Sequence, residues 1–143
     1  IDLDDLNGKK NYNMDRAYCQ SKLANILFTN ELAERFAGTP ATANSMEPGL
    51  VRTEFGREYT GFKALMAKIG RIVMREPEEG AQTAIYLAAS PNVEGISGRH
   101  FVESKPVESS RESNDPVLAK KLWNASAELT GVDADIKPNL KAF

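Results

Sequence analysis

Apolar residues recur at helical spacing in four stretches of this chain and gather into two short extended ones. Residues 1–13 are polar, rich in Asn, Gly and Lys, and carry the turn pair Asn7-Gly8, so they are expected to form a loop. From Asp15 to Phe36 the positions Leu23, Ile26, Leu27, Leu32 and Phe36 leave much of one flank to be buried, which predicts a long helix. Asp15 offers a capping or first-turn carboxylate and Gly38 the stop. Residues 42–46 read as a short strand ending at Pro48-Gly49, although alanines weaken its β-propensity. Phe62, Leu65, Met66, Ile69, Ile72 and Val73 predict an amphipathic helix, with Lys63, Lys68 and Arg71 at other positions. A further helix starts at Glu76-Pro77-Glu78-Glu79, with proline at a first helical position and acids near the positive end. It runs through Ala81, Ala84, Ile85 and Leu87 and stops before Pro91. Gly98 leads into a second strand at Arg99-His100-Phe101-Val102. A last helix begins at Asp115-Pro116, passes Leu118, Leu122 and Trp123, and ends near Gly131.

Two strands separated by a long helical crossover imply a parallel pair with a right-handed connection, hence an α/β fold. Two strands cannot bury both faces of a parallel sheet, which needs helices on each side and more neighbours. The chain therefore reads as the end of a larger sheet, in keeping with a first residue, Ile1, that is not methionine.

Length and composition narrow the function classes. The chain has 143 residues, enough for one domain, and ordinary globular proportions of 41% hydrophobic and 27% charged residues. A net charge of −2 with no basic stripe gives no case for nucleic acid. No apolar run approaches the length of a bilayer span, and nothing at the start reads as a signal peptide. Cys19 is the single cysteine, so no internal disulfide forms, and no Cys/His cluster has metal-ligand spacing. A cytoplasmic address is expected.

Tyr18 and Lys22 are the sharpest chemical feature. At i and i+4 on one helix they share a face. An ammonium beside a phenol favours the phenolate, and a phenol so placed can take a proton from an alcohol or give one to a carbonyl oxygen. The spacing alone is unspecific, since an arbitrary helix carries such pairs on its surface. His100, the only histidine, reads as a strand residue. Cys19 points about a hundred degrees away from Tyr18 on an ideal helix and is expected to be buried and inert.

The neighbouring residues add specificity. Ala17-Tyr18-Cys19-Gln20-Ser21-Lys22-Leu23-Ala24-Asn25 resembles the active-site helix of short-chain dehydrogenase/reductases, in particular the retinol-dehydrogenase-like branch. Pro48-Gly49-Leu50-Val51-Arg52-Thr53 is similar to that family's Pro-Gly-x-Val/Ile-x-Thr segment. Glu78-Glu79-Gly80-Ala81, Tyr86-Leu87-Ala88, Ser97-Gly98-Arg99-His100-Phe101 and Leu122-Trp123 follow in the order of the same branch, so the resemblance spans essentially the whole chain.

The resemblance implies the carboxy-terminal portion of a doubly wound, Rossmann-type parallel-sheet domain, with residues 1–143 one partial domain and the amino-terminal cofactor-binding half absent. It also implies an oxidoreductase that passes hydride between NADP, or NAD, and a hydrophobic alcohol or carbonyl. Tyr18 would be the catalytic acid/base, and Lys22 would bind the nicotinamide ribose hydroxyls and favour the phenolate. Pro48-Gly49 would end a strand at the ligand-binding edge. Val51, through its backbone, would hold the nicotinamide carboxamide, and Thr53 would support the carboxamide or a phosphate oxygen. On the residues alone, Pro48-Gly49 is equally a simple turn and Thr53 a helix cap. A homo-oligomer through the helix at 15–36 is expected. Residues 62–74 are open to three readings, a lid over a lipophilic substrate, a membrane-surface contact, or plain core packing.

The chain also departs from the family pattern. The Gly-rich phosphate loop and the residue that selects NAD or NADP are missing, and no serine precedes Ser21, whereas the family's catalytic serine lies upstream of the tyrosine. The isolated chain is therefore expected to be inactive and its parent active. The alternative is a non-catalytic interaction or oligomerisation module derived from the same fold.

Overall fold

A computed structural model describes residues 1–49, 51 and 75–135. The helix expected over 62–74 and Thr53 lie outside those residues. The described elements are α1 (Met14–Arg35), β1 (Ser45–Glu47), α2 (Pro77–Ala89), β2 (His100–Val102), β3 (Lys105–Val107) and α3 (Pro116–Thr130), with single 3-10 turns at Leu3–Asp5, Pro91–Val93 and Glu112–Asn114. The strands form one sheet in the order β1-β2-β3. The chain divides into two compact units: residues 1–45, 95–100 and 107–143 in the first, 46–94 and 101–106 in the second.

In the first unit α1 begins where Asn13, not Asp15, caps it: the Asn13 carboxamide oxygen accepts the Arg16 N–H at 2.9 Å. Asp15 sits in the first turn, where its charge favours the helix end. Past Phe36 the chain turns through Gly38 at a positive φ of 79°, the stop the sequence offers. α1 packs on α3 through fully buried Leu27 against Ala119 and Leu122, with Ile1, Leu3, Leu23, Ala24 and Leu118 around them. Only Leu27 of α1 is wholly buried, so the apolar flank read from the sequence is largely a half-buried one.

α3 matches its sequence signals. The Asp115 carboxylate accepts the N–H groups of Val117 and Leu118 at 2.9 and 3.1 Å, Pro116 opens the helix, and Gly131 closes it in the left-handed conformation. Trp123, nearly buried, stacks on Phe28 with centroids 4.9 Å apart and has the Arg35 guanidinium 4.4 Å above its ring.

The parallel pair is confirmed by rising residue numbers on both sides of the ladder. Gly98 N–H donates to the Ala43 carbonyl at 2.8 Å, and Ser45 N–H to the Arg99 carbonyl at 3.0 Å. β1 starts later than expected, at Ser45 rather than Thr42. The Asn44 side chain bridges instead, donating to the Ile96 carbonyl at 2.7 Å and accepting the Arg99 N–H at 3.0 Å. His100 is indeed a strand residue, with Nδ1 2.9 Å from the Ser45 hydroxyl.

In the second unit α2 starts with Pro77 at a first-turn position, as expected. Its packed positions are Gly80 and Thr83, while Ala84 and Ile85, among the residues it was expected to run through, are exposed. β3 was not anticipated. Glu103 and Ser104 both adopt positive φ, 51° and 61°, and turn the chain straight back from β2 into β3. This two-residue hairpin uses a left-handed pair without the Asn-Gly signal that would have announced it, and Pro106 argues against a strand. Buried Thr83 secures the turn, its hydroxyl accepting the Ser104 N–H at 3.1 Å. Phe101, essentially buried, lies beside Tyr86 with centroids 6.4 Å apart.

Candidate active site

The helix that carries Tyr18 and Lys22 is oriented by its buried side. Leu27 faces α3, and nine residues separate it from Tyr18, which at 3.6 residues per turn is about half a revolution. Tyr18 therefore points out of the α1–α3 contact and is 51% exposed. Lys22, one turn on, is also exposed, and its ammonium lies 5.3 Å from the centre of the Tyr18 ring. That places the cation over the aromatic face, a favourable arrangement in which the pair is already associated. The Tyr18 carbonyl accepts the Ser21 hydroxyl at 2.7 Å.

Cys19 corrects an expectation. It is exposed, not buried, because at eight residues from Leu27 it falls well off the packed flank.

The polar segment before α1 is organised by Asp5. Its carboxylate accepts the backbone N–H of Lys9 at 2.7 Å, both oxygens take that of Lys10, and Oδ2 takes that of Asn11 at 3.1 Å. Desolvation pushes the Asp5 carboxyl up, but these donors together outweigh it and hold the group below the usual carboxylate range. A cleft of about 220 Å³ opens beside this loop along the face of α1 that bears Ala17, Gln20 and Ala24. Neither Tyr18 nor Lys22 lines it, so the outward face of α1 and this cleft are separate features.

In the second unit Pro48 and Gly49 follow β1 and are exposed, with Gly49 at a positive φ of 76° that a residue with a side chain rarely adopts. Val51 forms a single parallel bridge with Arg75. The Arg75 guanidinium pairs with Glu103 at the hairpin turn. This hydrogen bond and the arginine's charge hold the Glu103 carboxyl below its ordinary range. Val51 also packs on Gly80 of α2 so closely that a Cβ there would lie 2.4 Å from its Cγ2. Sequence reasoning quoted Gly80 only as part of a motif and gave no role to it, Arg75 or Glu103. The one available signal was a glycine inside a helix, where alanine is favoured.

The comparisons with known proteins follow the same residues. The family model described as enoyl-(acyl carrier protein) reductase matches residues 3–104. Human retinol dehydrogenase 14 is 46% identical over 135 residues, covering 92% of this chain and 40% of that protein. Human retinol dehydrogenase 13 is 40% identical over 141 residues, and mouse retinol dehydrogenase 11 is 38% identical over 135, each match covering 94% of this chain and 42% of the relative. The chain belongs to the short-chain dehydrogenase/reductase family. Within it, the chain is retinol-dehydrogenase-like. A crystal structure of an uncharacterized protein from Mycobacterium Paratuberculosis superposes with a TM-score of 0.67 at 30% identity, covering 93% of this chain and 46% of that one. The mixed α/β architecture with its parallel pair is that of a Rossmann-type domain, as the sequence led us to expect. The chain spans about two fifths of the curated relatives it matches.

Short-chain dehydrogenase/reductases generally use nicotinamide cofactors. The residues present fit one end of such a cofactor. In the first unit, an exposed phenol and ammonium stand side by side on α1, groups of the kind that ribose hydroxyls bind; in the second, the Pro48-Gly49 backbone is exposed. No two glycines of the chain are separated by a single residue, so the Gly-x-Gly turn that cradles a diphosphate is not among these residues.

Proposed function

We propose that the protein carrying this chain interconverts a hydrophobic alcohol and its carbonyl, using NADP in preference to NAD. The observation that carries this reading is the outward-facing pair on α1, Tyr18 with the Lys22 ammonium 5.3 Å from its ring, in a chain of this family. The retinol dehydrogenases among its relatives support a lipophilic alcohol such as retinol as the substrate class.

When bound, the nicotinamide supplies the acceptor or donor of hydride. In oxidation, the phenolate oxygen of Tyr18 takes the hydroxyl proton of the alcohol while the carbinol C–H bond yields its hydride. In reduction the phenol returns a proton to the carbonyl oxygen. Lys22 donates to the ribose hydroxyls. The Val51 backbone and Thr53 would hold the carboxamide end.

The test is Tyr18→Phe in the full-length gene product, assayed with retinal and NADPH. General acid–base catalysis contributes about 10²–10⁴-fold, so turnover should fall by that range while NADPH affinity stays within a few-fold. Near-normal turnover would overturn the assignment. Lys22→Ala should weaken NADPH binding and turnover together. A parallel titration of NADPH and NADH against this chain and the full-length product separates the two functional readings. Binding only by the longer protein supports the dehydrogenase, and binding by neither leaves an interaction module.

A further inference from the structure

Gly80 stands within α2, where glycine is disfavoured relative to alanine. A helix keeps such a residue when something needs the space of the missing methyl. Here that something is Val51. A Cβ on Gly80 would meet Val51 Cγ2 at 2.4 Å, Cγ1 at 3.1 Å and Cβ at 3.3 Å, so the whole head of the valine rests on the bare α-carbon. Gly80 is buried. Valine is stiff at χ1, and both of its methyls are engaged, so rotation cannot clear the contact.

The backbone of Val51 is held from a second direction. It bridges to Arg75, Arg75 pairs with Glu103, and the turn that carries Glu103 is tied to α2 through Ser104 and the buried Thr83 hydroxyl. Side chain in a notch and backbone on a bridge together fix Val51 in place. Pro48 and Gly49, which lead into Val51, offer no comparable restraint, being exposed and set in a positive-φ turn.

We propose that Gly80 is a positioning residue for the nicotinamide end of the cofactor: its missing side chain seats Val51 and thereby sets the backbone that receives the carboxamide. The proposal rests on the function proposed above. It gives the Glu78-Glu79-Gly80-Ala81 segment a role in cofactor geometry, although Gly80 itself touches neither cofactor nor substrate.

Helix propensity and the notch make opposite predictions. If only propensity mattered, Gly80→Ala would be neutral or stabilising. If the notch matters, the added methyl displaces Val51, and the KM for NADPH rises at least tenfold while kcat at saturating NADPH stays within about threefold. The test uses the full-length protein with NADPH and retinal, and closes with a double-mutant cycle. In the Val51→Ala background the clashing methyls are gone, so Val51→Ala/Gly80→Ala should match Val51→Ala alone within about twofold in KM for NADPH. An unchanged KM in Gly80→Ala overturns the proposal, as does an equal penalty for Gly80→Ala in both backgrounds. If Gly80→Ala does not fold, Val51→Ile takes its place, since its extra methylene crowds the same contact. A raised KM at constant kcat supports the notch and an unchanged KM overturns it. Failure of the functional reading looks different, because then the parent protein binds no NADPH or Tyr18→Phe turns over normally.

Discussion

Trp123→Phe is the perturbation that best measures how α1 and α3 are locked together. Trp123 is nearly buried and makes three kinds of contact: the stack on Phe28 at 4.9 Å, the Arg35 guanidinium at 4.4 Å, and an indole N–H that donates to the Ala134 carbonyl at 2.9 Å. Phenylalanine keeps a ring for the stack and loses the hydrogen bond and part of the ring beneath the cation. The Ala134 carbonyl is not orphaned, because Arg35 Nη1 also donates to it, at 2.6 Å. The lost bond is therefore worth about 1 kcal/mol, without the further penalty of an unsatisfied buried carbonyl. A smaller ring in a packed site adds about another 1 kcal/mol, and the weakened cation–π contact about 0.5. The expected loss is about 2–3 kcal/mol.

Arg35 provides the control. It is clamped by Glu31 at 2.9 Å in an i,i+4 pair with both side chains mostly shielded, so Arg35→Lys keeps the charge and loses the planar stack and the fork. Because both variants lose part of one shared arrangement, the double variant should depart from the sum by about 0.5–1 kcal/mol. Urea unfolding followed by far-UV circular dichroism is the assay, since Trp123 is the only tryptophan and its fluorescence disappears with it. Additivity within about 0.3 kcal/mol would refute the coupling. A neutral Trp123→Phe would refute the claim that this cluster fastens the end of α3.

Two more expectations follow from single interactions. Asp115→Ala removes the acceptor for two first-turn N–H groups of α3 and should cost about 1 kcal/mol in the same urea assay, with Asp115→Asn recovering most of it. Asp5 gives a pH signature: since its folded-state carboxyl is held down, its stabilisation is fully present above the unfolded value of about 3.9 and is lost as pH falls through the lower folded value. Asp5→Asn should therefore be less stable than the parent at neutral pH and converge with it in acid; a gap that fails to narrow would refute the role of the charge.

What the sequence made legible was local and strongly signalled. Asp115-Pro116 and Gly131 bracket α3, and Pro77 opens α2, because capping chemistry acts within a few residues. The Tyr18/Lys22 pairing was legible for the same reason, one helical turn being a fixed distance. What was hidden depended on distant partners. β3 exists because Thr83, twenty-one positions earlier, supplies a hydroxyl to the Ser104 amide. β1 begins late because the Asn44 carboxamide replaces ladder bonds with its own. Cys19, expected to be buried from its angle to Tyr18, sits off the side of its helix that packing selected. Gly80 could be read as a motif residue but not as a notch until Val51 lay against it.

The same logic connects the core of the first unit to its chemistry. α1 has a single fully buried side chain, Leu27, and the helix can rotate about its axis only by taking that leucine out of contact with Ala119 and Leu122. Exposing a buried leucine costs about 1.5–3 kcal/mol, far more than the thermal energy available to turn the helix. The half-revolution between Leu27 and Tyr18 thus converts a packing preference into a direction for the phenol, and Lys22 inherits it one turn later. A proton-transferring residue needs its orientation fixed before substrate arrives, since misplacement by even an ångström is expensive in rate. In the proposed reaction Leu27, on the opposite side of the same helix, would do that fixing for Tyr18.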